Sequence, residues 1–235
     1  MIHYLTFAGK SSRDFGVWIS GAKTFGSGER DFTQISVPGR NGDLIFDNGR
    51  WKNVKVIYEA YIVRDFRENY NAFNAWLMSQ KGYARLEDTY QPGIYRTAFF
   101  SAGLNAEPVI RLGVGAFNVE FNAMPQKFLK NGEAPMTFTA AGMIYNPTLF
   151  DAKPLIRCNG RSGSVTINGV KVTVTGCTSY VMLDCDMMEA FEGEANRNGT
   201  TTLNNGTFPT LAPGNNAVSF TGFSSVVITP RFFTI

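Results

Sequence analysis

The sequence predicts a mainly β protein, and three observations support this. Among 235 residues there are 20 Phe and 24 Gly; aromatic side chains fill pleated, half-buried surfaces, and glycine supplies the positive φ of tight turns. Residues 117–123 alternate between apolar and polar side chains, the period of a half-buried strand. Asn168-Gly169 lies between two β-branched runs and indicates a hairpin with a type I′ turn. The chain is long enough for two domains, each with its own core.

The front half contains one predicted helix. An apolar stripe recurs at i, i+4, i+7 and i+11, formed by Phe66, Tyr70, Phe73 and Leu77. Asp65 and Glu68 have the spacing of a capping box, and Gly82 could close the helix as its C′ residue. We expect the stripe to pack onto a sheet rather than to bind a ligand.

Strand patterns surround this helix. Residues 54–63 precede it, and residues 94–101 and 117–123 follow it, which predicts an N-terminal sheet or split barrel with one covering helix. Two glycine-rich loops come before these strands. The second, Gly39-Arg40-Asn41-Gly42, is long enough to project from the sheet as an arm that reaches a neighbouring subunit.

The strand pattern weakens over residues 126–135, where turn-forming residues take over. We therefore place a domain boundary there, with domains at residues 1–130 and 131–235. Beyond it, the strands that flank Asn168-Gly169 and further strand patterns at 179–184, 217–220 and 225–234 predict a C-terminal β-sandwich.

Composition excludes several classes of protein. Apolar residues at 44% and charged residues at 17% describe a globular chain. We expect neither secretion nor membrane insertion, because the start lacks a signal-peptide pattern and no apolar run approaches the ~18 residues of a membrane span. Cys158, Cys177 and Cys185 are odd in number and lack metal spacing, so buried free thiols are predicted.

The net charge of +3 is divided unevenly along the chain. Residues 1–130 hold 16 Lys and Arg against 12 Asp and Glu, a balance of +4, whereas residues 131–235 hold 6 against 7, a balance of −1. This bias is too small for a dedicated nucleic-acid binder. The small positive balance is compatible with a surface that lies near DNA without binding it strongly.

Candidate catalytic residues are few. His3 is the only histidine and lies beside the N-terminus, where a catalytic base is seldom held rigidly. Gly113-Val114-Gly115 is not followed by the Lys of a phosphate-binding loop. The residues therefore predict a protein that is not an enzyme and needs no cofactor.

An acidic run is the main exception. It contains Asp184, Asp186, Glu189, Glu192 and Glu194 without an intervening Lys or Arg. Asp184 and Asp186 are expected on one side of a strand, where they could ligate Ca²⁺ or act as a glycosidase pair. The spacing of a Ca²⁺ loop is missing, and glycosidases usually draw their carboxylates from separate strands. We favour a solvated acidic edge, with Asp184, Asp186 and Glu189 as a docking face.

Five short segments of turn-forming and apolar residues follow one another in a distinctive order. They are Phe15-Gly16-Val17; Val37-Pro38-Gly39-Arg40-Asn41-Gly42-Asp43-Leu44; Asn122-x-x-Pro125-Gln126-Lys127-Phe128-Leu129; Phe208-Pro209-x-Leu211-x-Pro213-Gly214-x-Asn216; and Val226-Val227-Ile228-Thr229-Pro230-Arg231. In order and spacing they resemble siphophage distal tail (Dit) proteins, also called the tail component or baseplate hub family. The resemblance covers the whole chain.

This resemblance implies a structural role in the virion. Family members form a ring, usually of six copies, beneath the tail tube of a long non-contractile tail, and leave a central channel through which DNA passes in transit. The expected partners are further copies of the chain, the tail tube protein, the tail-associated hub or lysin protein, and receptor-binding proteins or side fibres. The C-terminal sandwich is expected to resemble galectin or a carbohydrate-binding module. Pro38, Gly39, Arg40, Asn41 and Gly42 are the candidate ring-interface loop.

A second hypothesis is a carbohydrate-binding protein that recognises cell-wall glycan through the C-terminal sandwich. Such sites need exposed aromatic platforms. Trp18, Trp51 and Trp76 all lie in the first domain, which argues against this hypothesis. Tyr145, Phe150 and Tyr180 remain as possible platforms.

Overall fold

The computed structural model describes residues 3–20, 26–109 and 112–235. The predicted fold class is confirmed, because strands far outnumber the single α-helix among these residues. The chain forms two compact units, Met1–Lys127 together with Ile235, and Phe128–Thr234. None of the helices in the described part of the chain has the length and apolar character needed to cross a membrane.

The first unit is built on one antiparallel sheet with strand order β2-β1-β7-β8-β10-β6-β3, with β9 beside β10. Its elements are β1 (Leu5–Phe7), β2 (Lys10–Ser11), β3 (Val17–Ile19), β4 (Arg30–Ile35), β5 (Leu44–Trp51), β6 (Val54–Ile62), α1 (Phe66–Ser79), β7 (Ala84–Asp88), β8 (Ile94–Phe99), β9 (Ala106–Val109) and β10 (Val114–Ala123). His3 bridges Ile19 on β3, while β1, a few residues later, pairs with β7. The N-terminal segment thus pairs at both ends of the strand order, and the sheet curls as a split barrel does.

The long pair formed by β6 and β10 organises the core of the first unit. Its register runs from Val54 opposite Ala123 to Ile62 opposite Gly115. Burial alternates along both strands, so one face points into the core that α1 covers. Gly115 is required there, because an added Cβ would lie 2.4 Å from a ring carbon of Phe66.

The apolar stripe of α1 is confirmed, but its predicted caps are wrong. Phe66, Phe73 and Leu77 are buried, together with Trp76. Asp65 has φ 50° and its side chain makes no capping hydrogen bond. The Phe66 N–H, one of the first-turn amides without a partner inside the helix, donates to the carbonyl of Gly113 at 3.2 Å, so a tertiary contact satisfies it.

The C-terminal end of α1 also differs from the prediction. The helix ends at Ser79, and Gln80 is extended while its N–H donates to the carbonyl of Leu77. Gly82 has φ 74° but lies beyond the C′ position, in the turn that leads to β7.

The second unit is a β-sandwich, as predicted. One sheet has the order β12-β22-β14-β17-β18-β19 and the other β13-β21-β15-β16-β20. The strands are β11 (Lys127–Leu129), β12 (Met136–Phe138), β13 (Gly142–Asn146), β14 (Leu155–Asn159), β15 (Gly163–Ile167), β16 (Val170–Val174), β17 (Tyr180–Asp184), β18 (Glu189–Glu192), β19 (Ala195–Asn196), β20 (Thr201–Leu203), β21 (Gly214–Thr221), β22 (Ser225–Thr229) and β23 (Phe233–Thr234). The two sheets enclose one apolar core.

The hairpin predicted from Asn168-Gly169 is present between β15 and β16. Asn168 has φ 48° and Gly169 has φ 82°, the positive values of a type I′ turn. The side chain of Asn168 also donates to Asn216 Oδ1 at 2.6 Å. Asn216 is fully buried, and its amide donates to the carbonyls of Ile144 and Ala212, which joins neighbouring strands of one sheet.

The stretch predicted to be an irregular boundary is regular instead. It contains β11, a 3-10 helix at Lys130–Glu133, and the approach to β12. The Leu129 N–H donates to the carbonyl of Phe232, and the Arg231 N–H to the carbonyl of Gly132, each at 2.8 Å. These partners are about one hundred residues away along the chain, so a local pattern could not reveal them. The division between the two units lies between Lys127 and Phe128.

Candidate interaction surfaces

The predicted ring-interface loop is the tip of a separate β-hairpin. Strands β4 and β5 pair only with each other, in register from Ile35 opposite Leu44 to Arg30 opposite Trp51 with one irregularity. Two ion pairs join the strands: Arg30 Nη1 lies 2.8 Å from Asp47 Oδ2, and Arg50 Nε lies 2.6 Å from Asp31 Oδ2. These cross-strand ion pairs fix the register of the hairpin.

The hairpin exposes large apolar side chains on both of its faces. The exposed fractions are 45% for Phe32, 52% for Ile35, 41% for Leu44, and 65% each for Ile45 and Phe46. Opposed residues share a face and side chains alternate along a strand, so Ile35, Leu44 and Phe46 lie on one face. Phe32 and Ile45 lie on the other. Sequence reasoning singled out the loop and missed these two faces, although the apolar runs beside it were the available signal.

The tip itself is fully exposed. Residues 38–42 are exposed, and Gly39 and Gly42 have φ near 80°. The Arg40 N–H closes a turn onto the carbonyl of Val37 at 3.1 Å. Within the described residues, the side chains of Arg40 and Asn41 have no hydrogen-bonding partner in the chain.

The acidic run is the solvated edge that the sequence predicted only in part, because Asp186 and Glu194 are exposed whereas Asp184 is buried. Asp184 ends β17, is only 6% exposed, and receives two hydrogen bonds from the guanidinium of Arg231, at 2.8 and 3.0 Å. The backbone N–H groups of Asp186 and Met187 also donate to it. Burial by itself raises the pKa of Asp184, but the hydrogen bonds from Arg231 and Met187 outweigh it and hold the pKa below its ordinary value.

The expected pairing of Asp184 with Asp186 on one side of a strand is wrong, because β17 ends at Asp184 and Asp186 lies in the following turn. Asp186 is exposed and reaches Lys153 at 3.1 Å. Glu189, on β18, is half-buried and accepts a hydrogen bond from Asn196 at 3.2 Å. The described residues hold no group of three or more metal-ligating side chains.

Glu192 has a structural part in the same region. Its carboxylate accepts hydrogen bonds from the N–H groups of Thr178 and Ser179 and from Arg197, at 2.5–3.1 Å. The Thr178 and Ser179 N–H groups and Arg197 lower the pKa of Glu192 to about 2. The acids that adjoin in sequence are therefore divided among separate cationic and amide partners.

The remaining residues considered for chemistry have structural contacts. His3 stacks on Tyr90 with ring centroids 4.3 Å apart and bonds to Thr89 Oγ1 at 3.1 Å. Cys158, Cys177 and Cys185 are free and buried, which confirms the predicted thiols. Burial raises the pKa of the Cys158 thiol to about 12, so the reactive thiolate form is suppressed there.

Two of the three proposed aromatic platforms for sugar are occupied within the second unit. Arg157 covers Tyr180, with the guanidinium 4.3 Å from the ring centroid. Phe150 stacks on Phe233 with centroids 5.6 Å apart. Tyr145, on the edge strand β13, is 64% exposed.

A partly buried polar cluster in the first unit was not foreseen. The Tyr58 hydroxyl donates to Asp88 Oδ2 at 2.7 Å across 30 residues of sequence. Burial raises the pKa of Tyr58 well above its ordinary value. Burial also lowers the pKa of Arg96, which lies in the field of Tyr58 and Asp88. No spacing in the sequence marks these three residues as partners.

Comparison with solved structures shows which fold this is. The chain aligns with the Dit protein of phage SPP1 over 100% of both chains, with a TM-score of 0.77 and 13% identity. That protein is described as a paradigm of the hub adsorption apparatus of phages that infect Gram-positive bacteria. This chain has the same fold. It also aligns with components of the phage p2 baseplate in its activated conformation, with Sr (TM-score 0.53) and with Ca (0.52), each at 8% identity over 97% of this chain and 98% of that one. No family model and no curated protein matches the sequence.

Proposed function

We propose that this protein is a structural component of a phage tail, a Dit-type hub that assembles with copies of itself into a ring through the β4–β5 hairpin. The observation that carries the proposal is a hairpin with apolar side chains on both faces, in a chain whose whole fold matches that of SPP1 Dit. The role is structural rather than catalytic, since the residues considered for chemistry are engaged in packing, stacking and ion pairs.

The hairpin needs a covering surface that the described chain does not provide. A two-stranded hairpin alone is only marginally stable in water, because it buries little apolar area. Ile45 and Phe46 are adjacent in β5, point to opposite faces, and are each 65% exposed. A surface that covers one face would leave the other in water, so we infer that the hairpin inserts between two surfaces.

A second copy of the chain is the occupant that fits. A closed ring requires that one patch meet a different patch on the next copy. A hairpin from one subunit supplies the first patch of such a joint, and its paired strands also present free edges for backbone hydrogen bonding. Arg40 and the rest of the 38–42 tip then lie where the hairpin reaches furthest along its neighbour.

The finer features of the proposal come from the Dit resemblance. The first is a ring of six copies at the distal end of a long non-contractile tail, with a channel for DNA in transit. The second is a set of contacts with the tail tube protein, the tail-associated hub or lysin protein, and receptor-binding proteins or side fibres. Because the positive balance over residues 1–130 is only +4, it supports a wall that binds phosphate weakly at most. The exposed Asp186 and the half-buried Glu189 of the acidic run are proposed as a docking point for one of these partners.

The test compares two matched double variants of the full chain by light scattering over a concentration series and by negative-stain imaging. Ile45→Asp with Phe46→Asp places charges on both hairpin faces. Met143→Asp with Tyr145→Asp is the control, because these side chains are 61% and 64% exposed on a strand of the second unit. We expect the wild-type and control chains to form rings and the hairpin variant to remain a folded monomer, with a lower melting temperature only to the extent that assembly stabilises the wild-type chain.

Two outcomes contradict the proposal. A wild-type chain that stays monomeric at all concentrations would refute self-assembly. Rings that survive the hairpin changes but not the control changes would move the interface to the second unit. For the alternative hypothesis of a carbohydrate-binding protein, Tyr145 is the remaining candidate platform. Binding of the chain to cell-wall glycan would favour that hypothesis if Tyr145→Ala abolished the binding.

A further inference from the structure

The chain contains seven Asn-Gly pairs, a sequence in which asparagine can deamidate without an enzyme. They are Asn41-Gly42, Asn48-Gly49, Asn131-Gly132, Asn159-Gly160, Asn168-Gly169, Asn198-Gly199 and Asn205-Gly206. In this reaction the glycine backbone nitrogen attacks the asparagine Cγ. A new N–C bond closes a succinimide ring while the Cγ–Nδ2 bond breaks and ammonia leaves. Water then opens either ring bond to give aspartate or isoaspartate.

Structure decides which pair can react. The attack needs a free glycine N–H, an unrestrained asparagine side chain, and a backbone that can rotate until the nitrogen reaches Cγ. Glycine favours the reaction because it has no Cβ to block that rotation. Each hydrogen bond that holds either group must break first, which slows the reaction.

Three of the pairs are held by bonds to the asparagine side chain. Asn168 donates to Asn216 at 2.6 Å and accepts from the Ala217 N–H at 3.0 Å. Asn198 accepts from the Ala190 N–H at 2.7 Å. In the hairpin itself, Asn48 donates to Thr33 at 3.2 Å.

The glycine is held in others. The Gly160 N–H donates to the carbonyl of Ser179 at 2.8 Å, and the Gly206 N–H to the carbonyl of Leu203 at 3.2 Å. Gly49 likewise donates to Asp47 at 2.9 Å. Gly132 is buried within the 3-10 helix, and an added Cβ there would lie 2.5 Å from the backbone nitrogen of Phe232, so its backbone cannot rotate.

Asn41-Gly42 differs from the other six pairs because, in the described part of the chain, neither its asparagine side chain nor its glycine N–H is held. Both residues are exposed, and nothing lies within 4 Å of the position that a Cβ on Gly42 would take. Among the described residues, neither the Asn41 side chain nor the Gly42 N–H has a hydrogen-bonding partner. Both lie in the tip between β4 and β5, outside any strand or helix.

We propose that Asn41 is a site of spontaneous deamidation and that it reacts well before the other six asparagines of the folded chain. The product carries a new carboxylate between Arg40 and Asp43, which changes the charge of residues 36–43 from 0 to −1. The isoaspartyl product also adds one backbone atom to the tip. The inference concerns the chain before it assembles, and it does not rest on the proposed ring.

The test is peptide mapping by mass spectrometry of the full chain during incubation at mildly alkaline pH, where loss of the attacking nitrogen's proton is fastest. The other six pairs serve as internal controls in the same molecule. We expect deamidation at residue 41 to be about tenfold faster or more than at any of them, the ratio that a barrier difference of about one hydrogen bond gives. In concentrated urea the seven rates should converge, because they share the Asn-Gly sequence.

Two results would overturn the inference. One is an equal or faster rate at another pair in the folded chain. The other is an intact Asn41 in folded protein under conditions in which the urea-unfolded chain deamidates there. The Asn41→Gln variant checks the assignment, because its longer side chain closes a less favourable ring and the leading deamidation product should vanish.

Discussion

The loop at the tip of the β4–β5 hairpin and the acidic run of residues 184–194 were both singled out from sequence as interaction surfaces, and the structure gives the two regions different environments. The hairpin leaves Ile45 and Phe46 each 65% exposed and has no contact partner other than itself within its sheet. The acidic run is used inside its own unit, where Asp184 is 6% exposed and bonded to Arg231. The hairpin therefore has apolar surface that nothing in the described chain covers, whereas the most buried carboxylate of the acidic run already has a cationic partner.

The difference shows why charge density is a weak indicator of an interface. A run of acids without a neighbouring Lys or Arg looks unpaired along the sequence, but Arg231 lies 47 residues beyond Asp184 and folds back to it. Apolar side chains cannot be satisfied by a single distant residue in this way. They need area, and an isolated hairpin does not supply it.

The largest effect is expected from removing the buried carboxylate. Asp184→Ala leaves the guanidinium of Arg231 without its partner and should lower the free energy of unfolding by about 3 kcal/mol, the lower end for a broken buried ion pair. Asp31→Ala removes a hairpin ion pair whose Arg50 side chain is 72% exposed, and should cost less than about 1 kcal/mol. Urea unfolding of the full chain measures both, and equal costs would erase the distinction between the two regions.

A second prediction concerns acid. The pKa of Glu192 is lowered from 4.5 to about 2, and the pKa of Asp184 is also lowered, so both carboxylates bind protons more weakly when folded. Their contribution is fully present above pH 4.5 and is lost as the pH falls toward 2. Urea midpoints should decline over that window, and less so in Glu192→Gln. The exposed Glu194→Gln is the control, and an equal flattening in that variant would contradict the assignment.

A third prediction uses trypsin as a probe of order. Cleavage after Arg40, in the exposed tip, should precede cleavage after Lys127 and Lys130, which lie in β11 and the 3-10 helix. The sequence alone predicted a domain boundary of turn-forming residues at 126–135, which would make the second stretch the first to be cleaved. Early cleavage there with an intact hairpin would restore that interpretation and would mean that the bonds to Phe232 and Arg231 open readily.

Local patterns predicted the local elements well. The period of 3.6 located α1, the period of two located β10, and Asn168-Gly169 located the turn between β15 and β16. Each of these signals depends on residues within a few positions of one another. The predicted N-terminal cap of α1 failed because Asp65 has φ 50° and makes no capping bond, while the nearby Phe66 amide bonds to Gly113, 47 residues away.

For the candidate surfaces, too, features set by neighbouring residues were predictable and features set by distant residues were not. The tip was predictable because glycine, proline and asparagine have conformational preferences that need no partner. The burial of Asp184 was not predictable, because it depends on its ion pair with Arg231. In the sequence Arg231 appears only as the last residue of a family-like segment, and nothing there links it to Asp184. The apolar faces of the hairpin needed the cross-strand register, which shows that Ile35 and Leu44 share one face while Ile45 lies on the other.

The smallest effect is expected at the exposed Asp186 and the half-buried Glu189, the members of the acidic run that were proposed as a docking point. Asp186 and Lys153 are 61% and 52% exposed and 3.1 Å apart, and such surface pairs contribute little. Glu189 accepts one hydrogen bond from Asn196, which Gln can also accept. Asp186→Asn with Glu189→Gln should therefore change the free energy of unfolding by less than about 0.5 kcal/mol. A loss above about 1.5 kcal/mol would show that these side chains, like Asp184, stabilise the sandwich, and it would end their candidacy as a docking face.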